Sequence, residues 1–207
     1  CRDITSYAAH VGQRFAASIR YILIDRAAYS SGRREPTSDA QMRLQCIQAS
    51  GVPIQPVVGC ILANELFDAL PVHRVMMDRG KLREIYVTVG CDGEFSESVG
   101  ELATPALKKR FMDLDVHLDD GDRTEVNLGI GPIVAEAAMA LQRGFLLTID
   151  YGHLARRLYS HERLGGTMRC YYKHTLNTNP YQRVGLQDIS VHVDFDTLIK
   201  TGEEAGL

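Results

Sequence analysis

Long apolar segments and excess basic charge are both lacking in this chain of 207 residues. A membrane-spanning helix needs about 20 consecutive apolar residues, and no run here approaches that length, so the sequence predicts no helical membrane span. The formal net charge is −3, which gives no reason to expect nucleic acid or an anionic membrane as a partner. Hydrophobic residues at 45% and charged residues at 24% are typical of a soluble globular protein, and the length suits one substantial core.

Paired cysteines and metal-ligand spacings are lacking too. The five cysteines are scattered, odd in number and form no CxxC, which argues against a disulfide scaffold and a zinc site and predicts free, mostly buried thiols in a reducing compartment. The seven histidines show no metal-ligand spacing. The acidic run 119–122 lacks the alternating ligands and the distal glutamate of a calcium loop, so it predicts a solvated loop. We therefore expect no bound metal.

A recognisable start is the third absence. The chain opens with Cys1-Arg2-Asp3, without an initiator methionine, and passes directly into a helical pattern. Nothing in it resembles a signal or transit peptide. We therefore expect the natural protein to begin upstream of Cys1.

An apolar run at residues 57–63 predicts a strand that is buried on both faces, as in a parallel sheet. It ends at Asn64 and Glu65, and Asp68 follows three residues later. Ligands of open α/β sheets bind beyond the carboxyl ends of the strands, so this amide and these acids form a candidate site. Alternatively, Asn64 caps a short helix whose acidic first turn contains Glu65 and Asp68. The local pattern favours neither interpretation.

Two further predicted strands end in an acid. Residues 20–25 close on Asp25 after a helical pattern, as in the second half of a βαβ unit, and residues 145–149 precede Asp150. Such an acid can bind ribose hydroxyls, although a lone aspartate after a strand can also simply form a turn. In a parallel sheet Asp25, Glu65 and Asp150 would line one edge, which favours a functional role for all three.

The remaining segments complete an α/β pattern. Residues 73–98 alternate with period two around a turn at 78–81, which predicts an antiparallel insertion beside the site. Gly129-Ile130-Gly131 is not the cofactor loop, because it follows no clear strand and lacks a third glycine. The other predictions are helices at 3–18, 40–49, 132–142 (ended by Gly144) and 196–205, a polar loop at 29–39, a surface excursion at 104–123, and late strands at 167–174 and 189–195.

Four ordered stretches carry a family resemblance, namely residues 59–73 (GCILANELFDALPVH), 146–152 (LLTIDYG), 166–171 (GTMRCY) and 187–195 (QDISVHVDF). Together they resemble the MidA-like family of S-adenosylmethionine-dependent methyltransferases. The resemblance covers nearly the whole chain, from about Arg2 to Leu207.

This resemblance implies an α/β fold of the class I methyltransferase (Rossmann-like) type, with a mostly parallel sheet, helices on both faces and an antiparallel last hairpin. It implies a single domain over residues 1–207, with the hairpin at about 73–98 as an insertion. The family's first strand and glycine-rich loop would precede Arg2, so we expect this chain to lack them.

The resemblance also implies a reaction. The methyl donor would be S-adenosyl-L-methionine, and the acceptor would be an arginine of a protein partner. Because the mitochondrial member is similar to an arginine methyltransferase needed for assembly of respiratory complex I, that partner would be a complex I subunit. The expected location is the cytoplasm of a bacterium or the mitochondrial matrix of a eukaryote.

Site residues follow from the matched positions. Asp25 corresponds to the acid that holds the ribose hydroxyls of the donor, where the family more often has glutamate. Asn64 and Glu65 match the end of the fourth strand, which faces donor and acceptor. The resemblance implies that Glu65 binds the acceptor guanidinium, with Asp68 or Asp150 as the second carboxylate and Asn64 as an orienting hydrogen-bond partner.

Two more residues are expected to shape the acceptor pocket. Tyr151 matches the tip of the fifth strand, and His174 follows the GTMRCY stretch. For both, a structural role is an equal alternative.

A competing interpretation comes from another class of protein. A non-catalytic assembly or binding protein could keep the methyltransferase fold without its donor site, which the expected lack of the glycine loop would suit. Acids at three predicted strand ends favour the enzyme, because a scaffold has no need for charge there. A nicotinamide-dependent oxidoreductase would need a phosphate fingerprint that the sequence lacks.

Overall fold

The computed structural model describes residues 2–26, 43–54 and 56–207. The chain divides into two compact units, Cys1–Ile54 and Gln55–Leu207. Because each unit has its own set of contacts, the two are described separately. The prediction of one domain over residues 1–207 stays a prediction.

The first unit contains two helices and two parallel strands. Helix α1 (Arg2–Val11) and helix α2 (Gln13–Ser18) replace the single helix predicted over 3–18. They are separated by Gly12, whose φ of +155° is one that residues with a side chain rarely adopt. Strand β1 (Arg20–Asp25) then forms as predicted.

Strand β2 (Arg43–Gln48) contradicts the helix predicted over 40–49. It pairs in parallel with β1, and Asp25 lies opposite Gln48 in the register. A short segment with weak helical preference is decided by its pairing partner, because the backbone hydrogen bonds of the ladder outweigh a small difference in propensity. The polar loop predicted at 29–39 lies outside the described residues.

The second unit is built on one parallel pair. Strand β3 (Val57–Asn64) and strand β8 (Leu141–Ile149) run side by side, from Val57 opposite Leu141 to Asn64 opposite Ile149. Helix α4 (Ile130–Ala140) leads directly into β8. The predicted helix end at Gly144 is therefore wrong, because Gly144 lies within the strand.

Burial of this pair differs from the prediction. Ala63 and Leu146 pack on one face against Ile130 and Val134 of helix α4. On the other face the apolar side chains are exposed. Val58 is 59% exposed, and the further exposed residues are Leu62, Phe145, Leu147 and Ile149. For the described residues, the prediction that β3 is buried on both faces is wrong, since side chains alternate across a strand and helix α4 packs on one face of the pair.

Gly144 and Gly59 lie opposite each other, and we expect Gly144→Ala to unfold this part of the protein. A Cβ at position 144 would lie 1.7 Å from the Gly59 carbonyl oxygen, and φ is +142° there. Overpacking against backbone together with this strain should cost more than about 3 kcal/mol. Urea unfolding followed by circular dichroism measures the loss.

The matched control for that substitution is Gly165→Ala. A Cβ at Gly165 would have no heavy atom within 4 Å among those considered, so its unfolding midpoint should stay near that of the wild type. Equal midpoints for the two variants would contradict the close packing of β3 on β8.

An antiparallel sheet follows β3 in the chain. Its order is β6 (Phe95–Gly100), β5 (Lys81–Val89), β4 (His73–Asp78) and β7 (Arg123–Val126). Strands β4 and β5 are joined by a tight turn in which Arg79 and Gly80 both have positive φ, as a two-residue hairpin requires. Residues 73–100 thus contain the antiparallel strands that period two predicts.

The segment 104–123 is more than the predicted surface excursion. Helix α3 (Pro105–Asp113) begins with the Thr104 hydroxyl capping the amide N–H of Ala106. Leu107 and Phe111 of this helix are buried in a core with Val75 and Val126. The charged residues of α3 made the segment resemble a surface loop, but its apolar residues at a spacing of four form a buried face.

The chain ends with short strands and helices that pack beside the parallel pair. Lys173 and His174 both have positive φ and form a turn, so the strand predicted at 167–174 ends at Tyr172. The elements in chain order are β9 (Gly152–His153), α5 (Ala155–Leu158), a 3-10 turn (His161–Arg163), β10 (Arg169–Tyr172), β11 (Thr175–Asn177), β12 (Asp188–Ser190), β13 (Val193–Asp194) and α6 (Phe195–Glu204).

Two bulk predictions can be compared with the structure. Among the described residues, no helix is both long and apolar enough to span a membrane. The four described cysteines are free, as predicted, but Cys46, Cys60 and Cys91 are exposed and Cys170 alone of these four is buried. The prediction of mostly buried thiols is therefore wrong for this set.

Candidate functional site at the ends of two parallel strands

The ends of β3 and β8 meet through one carboxylate. Asp150 Oδ2 accepts hydrogen bonds from the amide N–H groups of Leu66 (3.2 Å), Phe67 (2.9 Å) and Asp68 (3.4 Å). Its Oδ1 accepts from the amide of Tyr151 at 2.8 Å. The acids predicted at the ends of these two strands therefore do share an edge. Asp25 lies at the end of β1 in the other unit, so its place at this edge stays a prediction.

Asn64–Asp68 forms a strained turn instead of a capped helix. Asn64 is the last residue of β3, and Glu65 adopts φ of +47°, with its amide donating to the Ile149 carbonyl at 2.9 Å. A non-glycine residue in this left-handed region costs about 1 kcal/mol or more, and such residues cluster at functional sites. In the part of the chain that the structure describes, no helix lies between β3 and β4, so the helix-cap alternative is wrong.

Asp68 has an unusual environment at this edge. Its side chain is half-buried, and its Oδ1 is buried with no hydrogen-bond partner among the described residues. Burial, followed by the negative charges of Asp150 and Glu65, raises the pKa of the Asp68 carboxyl above its ordinary value. A carboxylate with a raised pKa takes up a proton more readily, which suits a proton acceptor.

The turn is held from the core side as well. The Phe67 side chain is fully buried among Ile130, Val134 and Val193. The buried Asn127 donates from Nδ2 to the Phe67 carbonyl at 2.9 Å, and its Oδ1 accepts from the amide of Gly129 at the same distance. These contacts hold the middle of the turn, between Glu65 and Asp68, against the core.

Sequence reasoning missed Asn127. It lies two residues before Gly129, the first residue of the Gly-x-Gly segment, and its only local signal is an amide placed just before a helix start. In the structure it bonds across to the turn instead of only capping its own helix.

The two predicted pocket residues fall in different places. Tyr151 is 64% exposed directly after Asp150, and its carbonyl accepts from the amide of Val193 at 2.8 Å. His174 is exposed in the turn between β10 and β11, and among the described residues it makes no contact with the group around Asp150. The structure thus brings Asn64, Glu65, Asp68, Asp150 and Tyr151 together and leaves His174 out of that group.

A separate group of ligand atoms lies outside this edge. Oxygens of Asp119 and Asp122 and a ring nitrogen of His161 all lie within 4.8 Å of one another, close enough to hold a cation. Asp119 is exposed, as a solvated loop predicts, but Asp122 is buried and accepts from the Asp119 amide at 3.0 Å. The acidic run is therefore partly structural.

Fold and site together define a class of protein. Parallel strands in an α/β arrangement that end in a group of carboxylates are typical of ligand-binding α/β proteins, in which the site lies beyond the carboxyl ends of the strands. Similarity to known proteins identifies the family within this class.

The profile of the family described as "Putative S-adenosyl-L-methionine-dependent methyltransferase" matches residues 1–207. The chain belongs to this family, which confirms the MidA-like resemblance. A crystal structure from Burkholderia thailandensis, described as a "likely methyl transferase" bound to S-adenosyl-homocysteine, aligns with a TM-score of 0.79 and 27% identity over 98% of this chain and 51% of its own. That likeness confirms the predicted α/β class I methyltransferase fold.

Two curated relatives carry names that specify an activity. The mitochondrial protein arginine methyltransferase NDUFAF7 homolog of Drosophila melanogaster is 27% identical over 150 residues, which is 70% of this chain and 32% of that protein. Mitochondrial NDUFAF7 of Mus musculus is 31% identical over 179 residues, covering 79% of this chain and 38% of its own length. The chain thus spans about a third of the length of these relatives.

Proposed function

We propose that this chain forms the acceptor side of an S-adenosylmethionine-dependent methyltransferase and that the acceptor is an arginine side chain of a protein. The observation that carries the proposal is the meeting of Glu65, Asp68 and Asp150 at the ends of two parallel strands. Membership of the methyltransferase family and the names of the NDUFAF7 relatives support it.

Arginine is a demanding acceptor, because its guanidinium has a pKa above about 12 and is a poor nucleophile while protonated. Carboxylates can bind the planar guanidinium and take its proton. When S-adenosylmethionine is bound, it supplies an electrophilic methyl group: a nitrogen–carbon bond forms, the sulfur–carbon bond breaks with its electron pair going to sulfur, and the nitrogen loses a proton. The carboxylate group at the strand ends therefore needs one member that binds the guanidinium and one that accepts its proton.

The contacts favour a division of work. Glu65 is exposed on the strained turn and is free to bind the guanidinium. Asp68, with its raised pKa and unpartnered oxygen, is the proton acceptor. Asp150 has both oxygens engaged by backbone amides, so it acts as a positioning residue for the turn. Asn64 at the end of β3 orients donor or acceptor through its amide.

The remaining predicted residues keep narrower roles. Asp25 ends a parallel strand, which suits an acid that holds the ribose hydroxyls of the donor. Tyr151 offers an exposed ring next to the carboxylates and can form a wall of the acceptor pocket. For His174 the role in the acceptor pocket rests on the family resemblance alone.

Partner and location follow from the relatives. Their names place them in mitochondria and give them protein arginine as substrate. For this chain the corresponding proposal is a protein acceptor, and the proposal that this acceptor is a subunit of respiratory complex I rests on the family resemblance alone. The location would be the mitochondrial matrix of a eukaryote or the cytoplasm of a bacterium.

The direct test uses the full-length protein. Calorimetric titration with S-adenosylmethionine should give one-to-one binding, and transfer of a labelled methyl group should mark an arginine of the acceptor protein. Absence of donor binding would overturn the proposal. Acceptor binding without any methylation would instead support the non-catalytic binding protein.

The acid limb of the pH profile tests Asp68. If this carboxylate accepts the proton, kcat/KM rises with pH as Asp68 ionises, and the limb lies above 3.8, the ordinary value for aspartate. In the Asp68→Asn variant the activity should fall steeply. A wild-type limb at the ordinary aspartate value would contradict the assignment.

The same shift has a stability consequence that does not depend on catalysis. Because the folded protein holds the Asp68 proton more tightly than the unfolded chain does, this group's contribution to stability falls as pH rises from 3.8 through its raised pKa. The wild type minus Asp68→Asn difference in unfolding free energy should therefore decline across that window. Urea unfolding at several pH values measures it.

A further inference from the structure

The second unit contains a cavity of about 470 Å³ whose lining residues do not belong to the carboxylate edge, the group formed by Asn64, Glu65, Asp68, Asp150 and Tyr151. Arg74, Arg163, Arg169, Glu162, Gly165 and Thr178 are among its lining residues. Three arginines and one acid around a single cavity give it an excess of positive charge.

Two of these arginines differ from the third in having no acidic partner among the residues that the structure describes. Arg163 and Arg169 are half-buried, and within the described residues neither forms an ion pair. Arg163 donates to the Arg157 carbonyl at 3.0 Å and lies 3.0 Å from His153 Nε2, and Arg169 donates to the Met168 carbonyl at 2.7 Å. These neutral acceptors leave both positive charges uncompensated and most of the guanidinium N–H groups unused.

Arg74 provides the contrast within the same cavity. It forms an ion pair with Glu97, and it donates to the Tyr181 hydroxyl at 3.0 Å. Glu97 also accepts from Arg123 at 2.9 Å. The protein therefore neutralises the arginine that it needs for structure and leaves Arg163 and Arg169 available.

Nearby histidines are affected by this positive charge. The rings of His153 and His192 lie edge to face, with centroids 5.3 Å apart. Burial and then the charges of Arg163 and Arg157 lower the pKa of His153. Burial, His153 and then Arg163 and Arg169 lower that of His192. Both rings are thereby favoured in the neutral form, so they add no positive charge of their own.

A short piece of chain connects the cavity to the carboxylate edge. His153, which contacts Arg163, follows Asp150 by three residues and is the last residue of β9. Thr167, between Gly166 and the cavity residue Met168, is fixed by Glu125, which accepts from its amide at 2.7 Å. A ligand in the cavity would therefore sit against a segment continuous with the acceptor side.

We infer that this cavity binds an oxyanion carried by the protein acceptor, a carboxylate or phosphate held by the guanidinium groups of Arg163 and Arg169. A guanidinium fork matches a carboxylate or phosphate through two parallel N–H···O bonds. The inference deepens the proposed function, because it adds an acidic or phosphorylated residue to what the acceptor must contain. The oxyanion site itself is testable without methylation.

The test measures binding of three labelled peptides to the full-length protein by fluorescence anisotropy at low salt. The peptides share a single arginine and differ at one neighbouring position, which is aspartate, phosphoserine or asparagine. We expect at least one of the two anionic peptides to bind about tenfold or more tightly than the asparagine peptide, which corresponds to about 1.4 kcal/mol. The anionic peptide that shows this gain identifies carboxylate or phosphate as the source.

Variants locate the site. Arg163→Gln and Arg169→Gln should each remove most of that gain, and Arg169→Lys should restore part of it by returning the charge without the fork. The matched control is Arg79→Gln, at an exposed hairpin turn, which should bind like the wild type. Thermal unfolding identifies any variant that has lost its fold, and the conclusion is then drawn from the other position.

The outcomes separate the two proposals. Equal binding of all three peptides, or wild-type binding by folded Arg163→Gln and Arg169→Gln variants, would overturn the oxyanion site. Selective binding of an anionic peptide by a protein that neither binds S-adenosylmethionine nor transfers a methyl group would retain the site and overturn the enzyme.

Discussion

Glu65→Gln is expected to lower kcat for methyl transfer by at least about 100-fold while donor binding and the fold remain unchanged. The variant keeps the size of the side chain but replaces a carboxylate by a neutral amide. A charge-assisted pair with guanidinium is roughly twice as strong as a neutral hydrogen bond, and loss of orientation at the reacting nitrogen adds to the effect. Because Glu65 is exposed and its backbone amide, which the substitution leaves in place, makes the bond to the Ile149 carbonyl, stability should stay within about 0.5 kcal/mol.

The measurement compares labelled methyl transfer with calorimetric binding of S-adenosylmethionine. Glu94→Gln is the matched control, because Glu94 is exposed in the turn before β6 and bonds to its neighbours Asp92 and Gly90 through its backbone. That variant should turn over like the wild type. Unchanged turnover in Glu65→Gln would remove Glu65 from the mechanism and leave Asp68 and Asp150 as the carboxylates that could bind the acceptor.

Asp150→Asn should impair both stability and turnover. One Asp150 oxygen accepts from three consecutive backbone amides, and the other accepts from the amide of Tyr151. The amide keeps one accepting oxygen and turns the other into a donor that opposes an N–H group. Hydrogen bonds to charged groups contribute about 1.5–3 kcal/mol, so we expect a loss of about 2 kcal/mol in unfolding free energy. A displaced turn moves Glu65 and Asp68, and kcat should fall about 100-fold.

Asp188→Asn is the control for this loss of charge. Asp188 is exposed, and its side chain forms no hydrogen bond with any residue that the structure describes. Denaturant unfolding and methyl transfer are measured on both variants. The ratio of the two effects distinguishes the roles of Asp150. A fall in turnover with full stability would mean that Asp150 contacts the acceptor itself, one of the two alternatives that the family resemblance left open, instead of positioning the turn.

Several parts of the site could be predicted from the sequence because their signals are local. An apolar run that stops at a polar residue marks a strand and its end, which is why β3, β8 and the residues Asn64, Glu65 and Asp150 were found. The ordered family stretches predicted the fold class and the methyltransferase family, and both are confirmed. The roles given to the site residues stay predictions.

Other features had no local signal. The segment at 43–48 was predicted as a helix, and only its pairing with β1 decided that it is a strand. The charged surface of α3 concealed Leu107 and Phe111, because their burial depends on a sheet that comes from elsewhere in the chain. The exposed face of β3 and β8 likewise reflects which elements pack on the pair instead of how apolar its residues are.

What the sequence by itself determined is therefore the set of groups: strands that end in acids, in an order that identifies the family. What only the tertiary structure decided is which of these groups lie within hydrogen-bond distance of one another. Asp150 and Phe67 are 83 residues apart, and Arg163 and His153 are joined by a contact that no periodicity encodes. The groups that folding brings within hydrogen-bond distance of a carboxylate decide its environment, and the three amides that donate to Asp150 Oδ2 lie 82 to 84 residues away in the chain.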